Sequence, residues 1–280
     1  MLKSKVSWMV AAATLLCLGA GSLIMACGDE KPAAPVSGNN VKSPDAIAKV
    51  VAPALPAVPV ALVSPKDGSI SGVVKIKGDV KKQKKIKMDA DPKCAAMHAE
   101  PPLMEDIVVD AAGNVQWAFV YVKKGAEGQK PGAATPAAVI NQIGCHYEPH
   151  VLGMLTGTDL LIKNSDELLH NIHALPFSNK EFNIGQPTKG LEEKRNFSTQ
   201  EIMVKVKCDI HPWMGAWIGV LDHGFFAVTA AGGKFVIPPG LKDGKYTVEV
   251  WHEGYRSVSA DVDVKSGSGA ANFDLTDKKE

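Results

Sequence analysis

EIMVKVKCDIHPWMGAW, residues 201–217, runs from a period-two segment into a loop rich in soft donor atoms. Ile202, Val204 and Val206 fall on one face of an extended strand, because successive side chains of a strand point to opposite sides. The same parity turns Cys208 inward at the mouth of the strand. His211 and Met214 then lie in the following loop, close enough in sequence to converge on the cysteine. A thiolate, an imidazole and a thioether form a soft ligand set. A plane of two histidines and one cysteine with a weak axial methionine is the arrangement of mononuclear copper electron-transfer sites. The bland alternative is the polar tip of a hairpin, and the metal reading needs a second histidine from elsewhere. The loop holds one cysteine, one short of a binuclear copper centre.

The rest of the chain reads as strands. Ile70, Gly72, Val74 and Ile76 alternate with small or polar residues. The segments VQWAFVYVK (115–123), DLLIK (159–163), KFVIP (234–238), KYTVEVW (245–251) and SVSADVDV (257–264) are separated by glycine- and proline-rich turns. Many short strands with such turns predict an all-β sandwich or barrel. A short helix is expected around Pro92 to Ala99, and the polar stretch Pro187 to Gln200 reads as a loop. No phosphate-cradling glycine loop or Ser/His/Asp arrangement is present, and Glu192 and Glu193 read as solvated charge.

The strand DLLIK is followed by NSDELLHN, residues 164–171, which supplies His170 and Asn171. Together with Cys208-x₂-His211 and YEPHVLGMLTGTDLLIKN (147–164), this resembles the cupredoxin family, the plastocyanin-like and methylamine-utilization-like copper proteins, over roughly residues 139–224. The resemblance implies a Greek-key β-sandwich in which His170, Cys208 and His211 are equatorial ligands of one type 1 copper ion. It also implies that Asn171 ties the two ligand loops together by hydrogen bonds. In plastocyanin-like loops the axial methionine stands five residues after the histidine. Here that position is Ala216, and Met214, three residues after, is the candidate axial ligand in a shorter loop. Tetrahedral zinc could use the same donors, but a single thiolate without an acidic partner suits it less well. His173 reads as a loop histidine near the site, and His223 and His252 as structural or surface residues. Pro212, Trp213 and Met214 could form an apolar collar around an exposed His211, where a redox partner docks.

A second cluster lies upstream. DPKCAAMH supplies Cys94 and His98, and GCHYEPH supplies Cys145, His146 and His150. The plainer expectation is a Cys94–Cys145 disulfide that pins the N-terminal segment to the cupredoxin-like part. The sharper one is a second metal site made of Cys94, His98, Cys145 and His150.

At the N-terminus, Lys3 and Lys5 precede an apolar run, Val6 to Ala26, that ends at Cys27. A basic n-region, an apolar h-region and small residues before a cysteine read as a secretory signal of the lipoprotein kind, cleaved before a lipidated Cys27. An uncleaved anchor is the alternative, since about 20 apolar residues can span a bilayer. Either way the body is expected outside the cytoplasm and tethered to a membrane, and on the lipoprotein reading in the cell envelope, lipid-anchored and facing the periplasm or the cell surface, where paired cysteines oxidise. Residues 27–67, with prolines at 32, 35, 44, 53, 56, 59 and 65, read as an extended tether. Thirty-one basic residues against thirty acidic ones leave no electrostatic case for nucleic acid.

After Leu221, AVTAAGGKFVIPPGLKDGKYTVEVWHEGY resembles the carboxypeptidase regulatory-like, transthyretin-like β-sandwich. Roughly 55 residues are too few for a full sandwich core. SISGVVKIKGDV and VQWAFVYVKKG resemble the opening strands of that family, so residues 68–130 and 225–276 are expected to form one discontinuous sandwich around a cupredoxin at 131–224; separate consecutive domains are the alternative. These resemblances imply a membrane-tethered electron carrier with an unidentified redox partner protein. The rivals are an envelope lipoprotein that binds carbohydrate or protein and holds copper structurally or in store, and a copper-dependent oxidoreductase with a further catalytic metal.

Overall fold

The computed structural model describes residues 67–278; the apolar leader, Cys27 and the proline-rich stretch to residue 66 lie outside the described residues. Two strands come first, β1 (Ser69–Ile76) and β2 (Phe119–Lys124), with one short helix, α1 (Pro92–Ala96), between them. Nine follow: β3 (Ala138–Ile143), β4 (His146–Glu148), β5 (Val151–Leu155), β6 (Leu160–Asn164), β7 (His170–Leu175), β8 (Phe182–Gln186), β9 (Glu192–Arg195), β10 (Glu201–Lys207) and β11 (Gly215–Leu221). The last six are β12 (Phe226–Val228), β13 (Lys234–Ile237), β14 (Gly244–Trp251), β15 (Val258–Val264), β16 (Ser268–Ala270) and β17 (Phe273–Leu275). The all-β expectation holds.

Strands β3 to β11 make two mixed sheets, ordered β4-β3-β6-β9 and β5-β11-β10-β7-β8, with β3 parallel to β6 and β5 parallel to β11. Between them Ile140, Leu160 and Ile162 meet Met154, Ile172, Val204, Val206, Ile218 and Val220, all buried. The remaining strands make a sheet ordered β12-β2-β14-β15 and a second in which β1 lies between β13 and β16 and also pairs with β17. Their apolar faces, Val120, Val122, Val248, Val250 and Val262 against Ile70, Val74, Phe235, Ile237 and Phe273, enclose a separate core. Strands from before residue 125 thus pair directly with strands from after residue 225, β2 with β12 and β14, β1 with β13.

Two local expectations are corrected. Parity along β10 breaks at its start: Met203 has φ of 68° and the register with β11 shifts between Glu201 and Val204. This β-bulge sends Ile202 and Met203 to the junction with the flanking sheet, so only Val204 and Val206 share the inward face with Cys208. The stretch 187–200 is not all loop, because β9 pairs antiparallel with β6. Its four residues, Glu-Glu-Lys-Arg, are exposed or half-buried, as suits a charged edge strand.

The two sandwiches meet where Phe119, Tyr121, Val151, Met203 and Leu221 cluster. Gly153 on β5 and Gly219 on β11 are register partners, and aromatic rings come close against both. A Cβ on Gly153 would come within 2.3 Å of the Phe226 ring, and one on Gly219 within 2.4 Å of Phe119. The missing side chains therefore create the seat for Phe119, whose full burial contributes on the order of 1.5–3 kcal/mol. Trp217 packs tilted against Trp251, ring centroids 5.0 Å apart, and His150 pairs with Glu253 beside them.

Candidate metal centre

The end of the central sandwich carries the ligand candidates. Asn164 closes β6 and shapes the loop that follows: its amide donates to Leu168 O and Gln186 O, and its Oδ1 accepts the Asp166 N–H, each at 2.9 Å. That loop delivers His170 as the first residue of β7, fully buried. Across the sheet, β10 ends at Lys207 and the chain turns through Cys208 to Gly215. The turn is closed on itself, Cys208 N–H donating to Met214 O at 3.2 Å and Met214 N–H to His211 O at 2.9 Å.

His170, Cys208 and His211 converge, each offering one ligand atom within 4.8 Å of the others, and all three are buried. His170 Nδ1 lies 3.0 Å from His211 Nδ1, which lies 3.9 Å from Cys208 Sγ. Metal–nitrogen bonds of about 2.0–2.1 Å and metal–sulfur bonds of about 2.3 Å put ligand atoms roughly 3–4 Å apart around one ion. The spacing fits.

The protonation pattern points the same way. His170 Nε2 lies 2.9 Å from Asp166 Oδ2, and His211 Nε2 lies 3.1 Å from Asp91 Oδ2. Ionised carboxylates only accept, so each imidazole must donate from Nε2. The two Nδ1 atoms then face each other at 3.0 Å, where a proton or a metal ion between them relieves the repulsion of their lone pairs. Burial alone would lower the His170 pKa, but Asp166 and Cys208 outweigh it and push it up to about 9. The Cys208 thiol is itself held below its ordinary value: burial would raise it, and His170 and adjacent backbone N–H groups more than offset that.

Asp166 is fixed as an anion by a two-residue turn between β3 and β4. Gly144 and Cys145 both have positive φ, 60° and 56°, as a type I′ hairpin requires. Their N–H groups donate to Asp166 Oδ1 at 2.7 Å and Oδ2 at 2.8 Å. Burial opposes ionisation of this carboxyl, yet the His170 ring and the two N–H groups hold its pKa below the usual value. Asn171 joins the two ligand segments, its Oδ1 accepting Asp209 N–H at 2.8 Å and standing 3.2 Å from Cys208 Sγ. Met214 is buried, 1% exposed, and packs in the same core as Cys208. His173 points to the other face of β7, toward Asp209 and Glu181.

Elsewhere the expectations part. Cys94 and Cys145 form a disulfide, S–S 1.97 Å, so neither offers a thiolate and the second site of Cys94, His98, Cys145 and His150 is not formed. His98 Nε2 bonds Gly144 O, and His150 bonds Gly215 O and Glu253. His211 is not an exposed edge: it is 2% exposed, and Asp91, the N-cap of α1, covers its Nε2. Nor do residues 212–214 form an exposed collar: only Pro212 is exposed, Met214 is interior, and Trp213 packs tilted against His211 and donates to Cys145 O at 3.1 Å. Asp91 and Asp166 escaped notice as site residues. Asp166 sits within NSDELLHN, four residues before His170, and carried a local signal; Asp91 lies just before the helix expected around Pro92 to Ala99, with nothing in its surroundings that points to His211.

No family model matches the chain, and no curated protein matches it. Solved structures do. A purple cupredoxin from Nitrosopumilus maritimus is similar at 24% identity, covering 30% of this chain and 98% of that one, with a TM-score of 0.26. The reduced Cu(I) form of an amicyanin variant is similar at 20% identity over 36% of this chain and 97% of that one, with a TM-score of 0.27. A copper-containing nitrite reductase from Thermus scotoductus is similar at 20% identity over 32% of this chain, with a TM-score of 0.28; the chain spans a quarter (25%) of its length. The likeness is confined to about a third of this chain.

Proposed function

We propose that the protein is a type 1 copper electron carrier. His170 Nδ1, Cys208 Sγ and His211 Nδ1 would hold the metal and Met214 would lie on its axis. The observation that carries this is the pair of carboxylate-locked imidazoles whose free nitrogens face each other beside the one free thiol among the described residues. Copper bound there would supply a one-electron couple between Cu(I) and Cu(II). The protein's part is to keep the donors fixed. Asp166 and Asp91 hold the ring tautomers, Asn171 holds the Cys208 turn, and the apolar walls exclude water. The leader and Cys27 support a lipid-anchored location outside the cytoplasm, with the proline-rich segment as tether and the flanking strands as a regulatory-like sandwich split by the copper-binding part.

The test is optical. The purified soluble part, loaded with Cu(II), is expected to show an intense thiolate-to-copper charge-transfer band in the visible range. A folded, copper-loaded sample without that band would overturn the proposal. Met214→Leu is expected to keep the band and shift the reduction potential; an unchanged potential would remove Met214 from the axial role.

A further inference from the structure

We propose that Asp91 is a positioning residue of this centre, delivered to His211 by a helix that the Cys94–Cys145 disulfide holds in place; the inference rests on the copper reading above. Asp91 stands 120 residues before His211 in sequence and belongs to no strand. Its carboxylate is used on both sides. Oδ1 caps α1 by accepting Lys93 N–H at 2.9 Å, which orients Oδ2 toward His211 Nε2 at 3.1 Å. Three residues on, Cys94 is fully buried with its Sγ 3.6 Å from the same ring nitrogen. The disulfide carries Cys94 to Cys145, whose own N–H binds Asp166, the carboxylate behind the other histidine. One hairpin turn thus anchors both carboxylate–imidazole pairs, directly for Asp166 and through the disulfide for Asp91.

Two consequences follow from this geometry. The carboxylate keeps the proton on His211 Nε2, so Nδ1 remains the free donor, and it raises the basicity of that ligand. It also places a negative charge across the ring from the donor atom, which favours the more highly charged state of a bound ion. The cap, with Cys94 and Trp213 beside it, covers the Nε2 edge of the ring.

Asp91→Asn keeps the helix cap, because asparagine is an equally good helix N-cap, while it removes the charge and the oxygen that accepts from His211 Nε2. In the copper-loaded protein it is expected to raise the reduction potential while α1 stays folded. A Cys94→Ser/Cys145→Ser double variant tests the delivery. In the metal-free protein, carbethoxylation of His211 by diethylpyrocarbonate, located by mass spectrometry, is expected to be suppressed in the parent and in Asp91→Asn and to appear in the double variant. Circular dichroism of each variant checks that the sandwich is folded. An unmoved potential in Asp91→Asn, or a His211 still protected in the folded double variant, would overturn the proposal. Should the parent bind no copper, the copper reading falls on that result, while labelling of the metal-free protein still decides whether the cap is held by the disulfide.

Discussion

The two sandwiches are built from similar strands and differ in what they bury. In the flanking sandwich the core is aliphatic and aromatic, and its buried polar residues are only Ser69, Thr229 and His252. His252 illustrates the cost of such a place: burial pushes its pKa down to about 4, so the ring is kept neutral at physiological pH. The central sandwich buries Asn141, Gln142, Asn164, Asp166, His170, Asn171, Gln186 and His211, most of them at the end where β6, β7 and the 208–214 turn meet. Burying a polar group costs roughly 1–3 kcal/mol unless it is paired. One region of the molecule spends its interior on cohesion, and the other gives up part of it to orient donor atoms.

Removing the sulfur should separate the two most sharply. Cys208→Ser is expected to abolish the visible band of the copper-loaded protein while leaving far-ultraviolet circular dichroism unchanged. Next in size is the junction. Gly219→Ala drives a methyl into Phe119 and is expected to cost about 1–3 kcal/mol by urea denaturation, with the band position unaffected. A shifted band in that variant would mean that the flanking sandwich helps shape the site.

The smallest effect concerns the polar link between the sandwiches. Burial would lower the His150 pKa, but Glu253 outweighs it and raises it, while the Glu253 value is lowered by His150 against its own burial. A raised histidine stabilises fully below its unfolded value, about 6.5, and loses that contribution as pH rises through the folded pKa. A lowered glutamate contributes above about 4.5 and loses it as pH falls through its folded pKa. The link should therefore contribute most between about pH 4.5 and 6.5. Stability that declines above that window in the parent, and no longer does so in Glu253→Gln, is the expected result of pH-dependent thermal melts.

Much of this was legible in the sequence, for physical reasons. Strands β14 and β15 alternate cleanly because one face is buried, and Cys208-x₂-His211 lies within a single turn. Strand β9 was not legible, because an edge strand exposed on both faces has no alternation to show. The bulge at Met203 was hidden too, since a left-handed residue that is not glycine leaves no compositional mark. The cap on His211 is a contact across 120 residues, and no local pattern encodes it.

The pairing of β2 with β12 has a further consequence. Phe119, Val120 and Tyr121 run antiparallel to Val228, Ala227 and Phe226, and Val122 N–H bonds Phe225 O, as in two arms of a hairpin. The whole metal-bearing sandwich occupies the position of the hairpin's connecting loop. Closing a disordered loop of that length rather than a four-residue turn would cost roughly 3 kcal/mol more in chain entropy. A folded insert whose two ends already lie together, Thr135 against Gly224, avoids most of that cost. The flanking part is therefore a host closed around a folded guest, and the two are not separable at that hairpin, because Asp91 and Cys94 reach the guest from before β2.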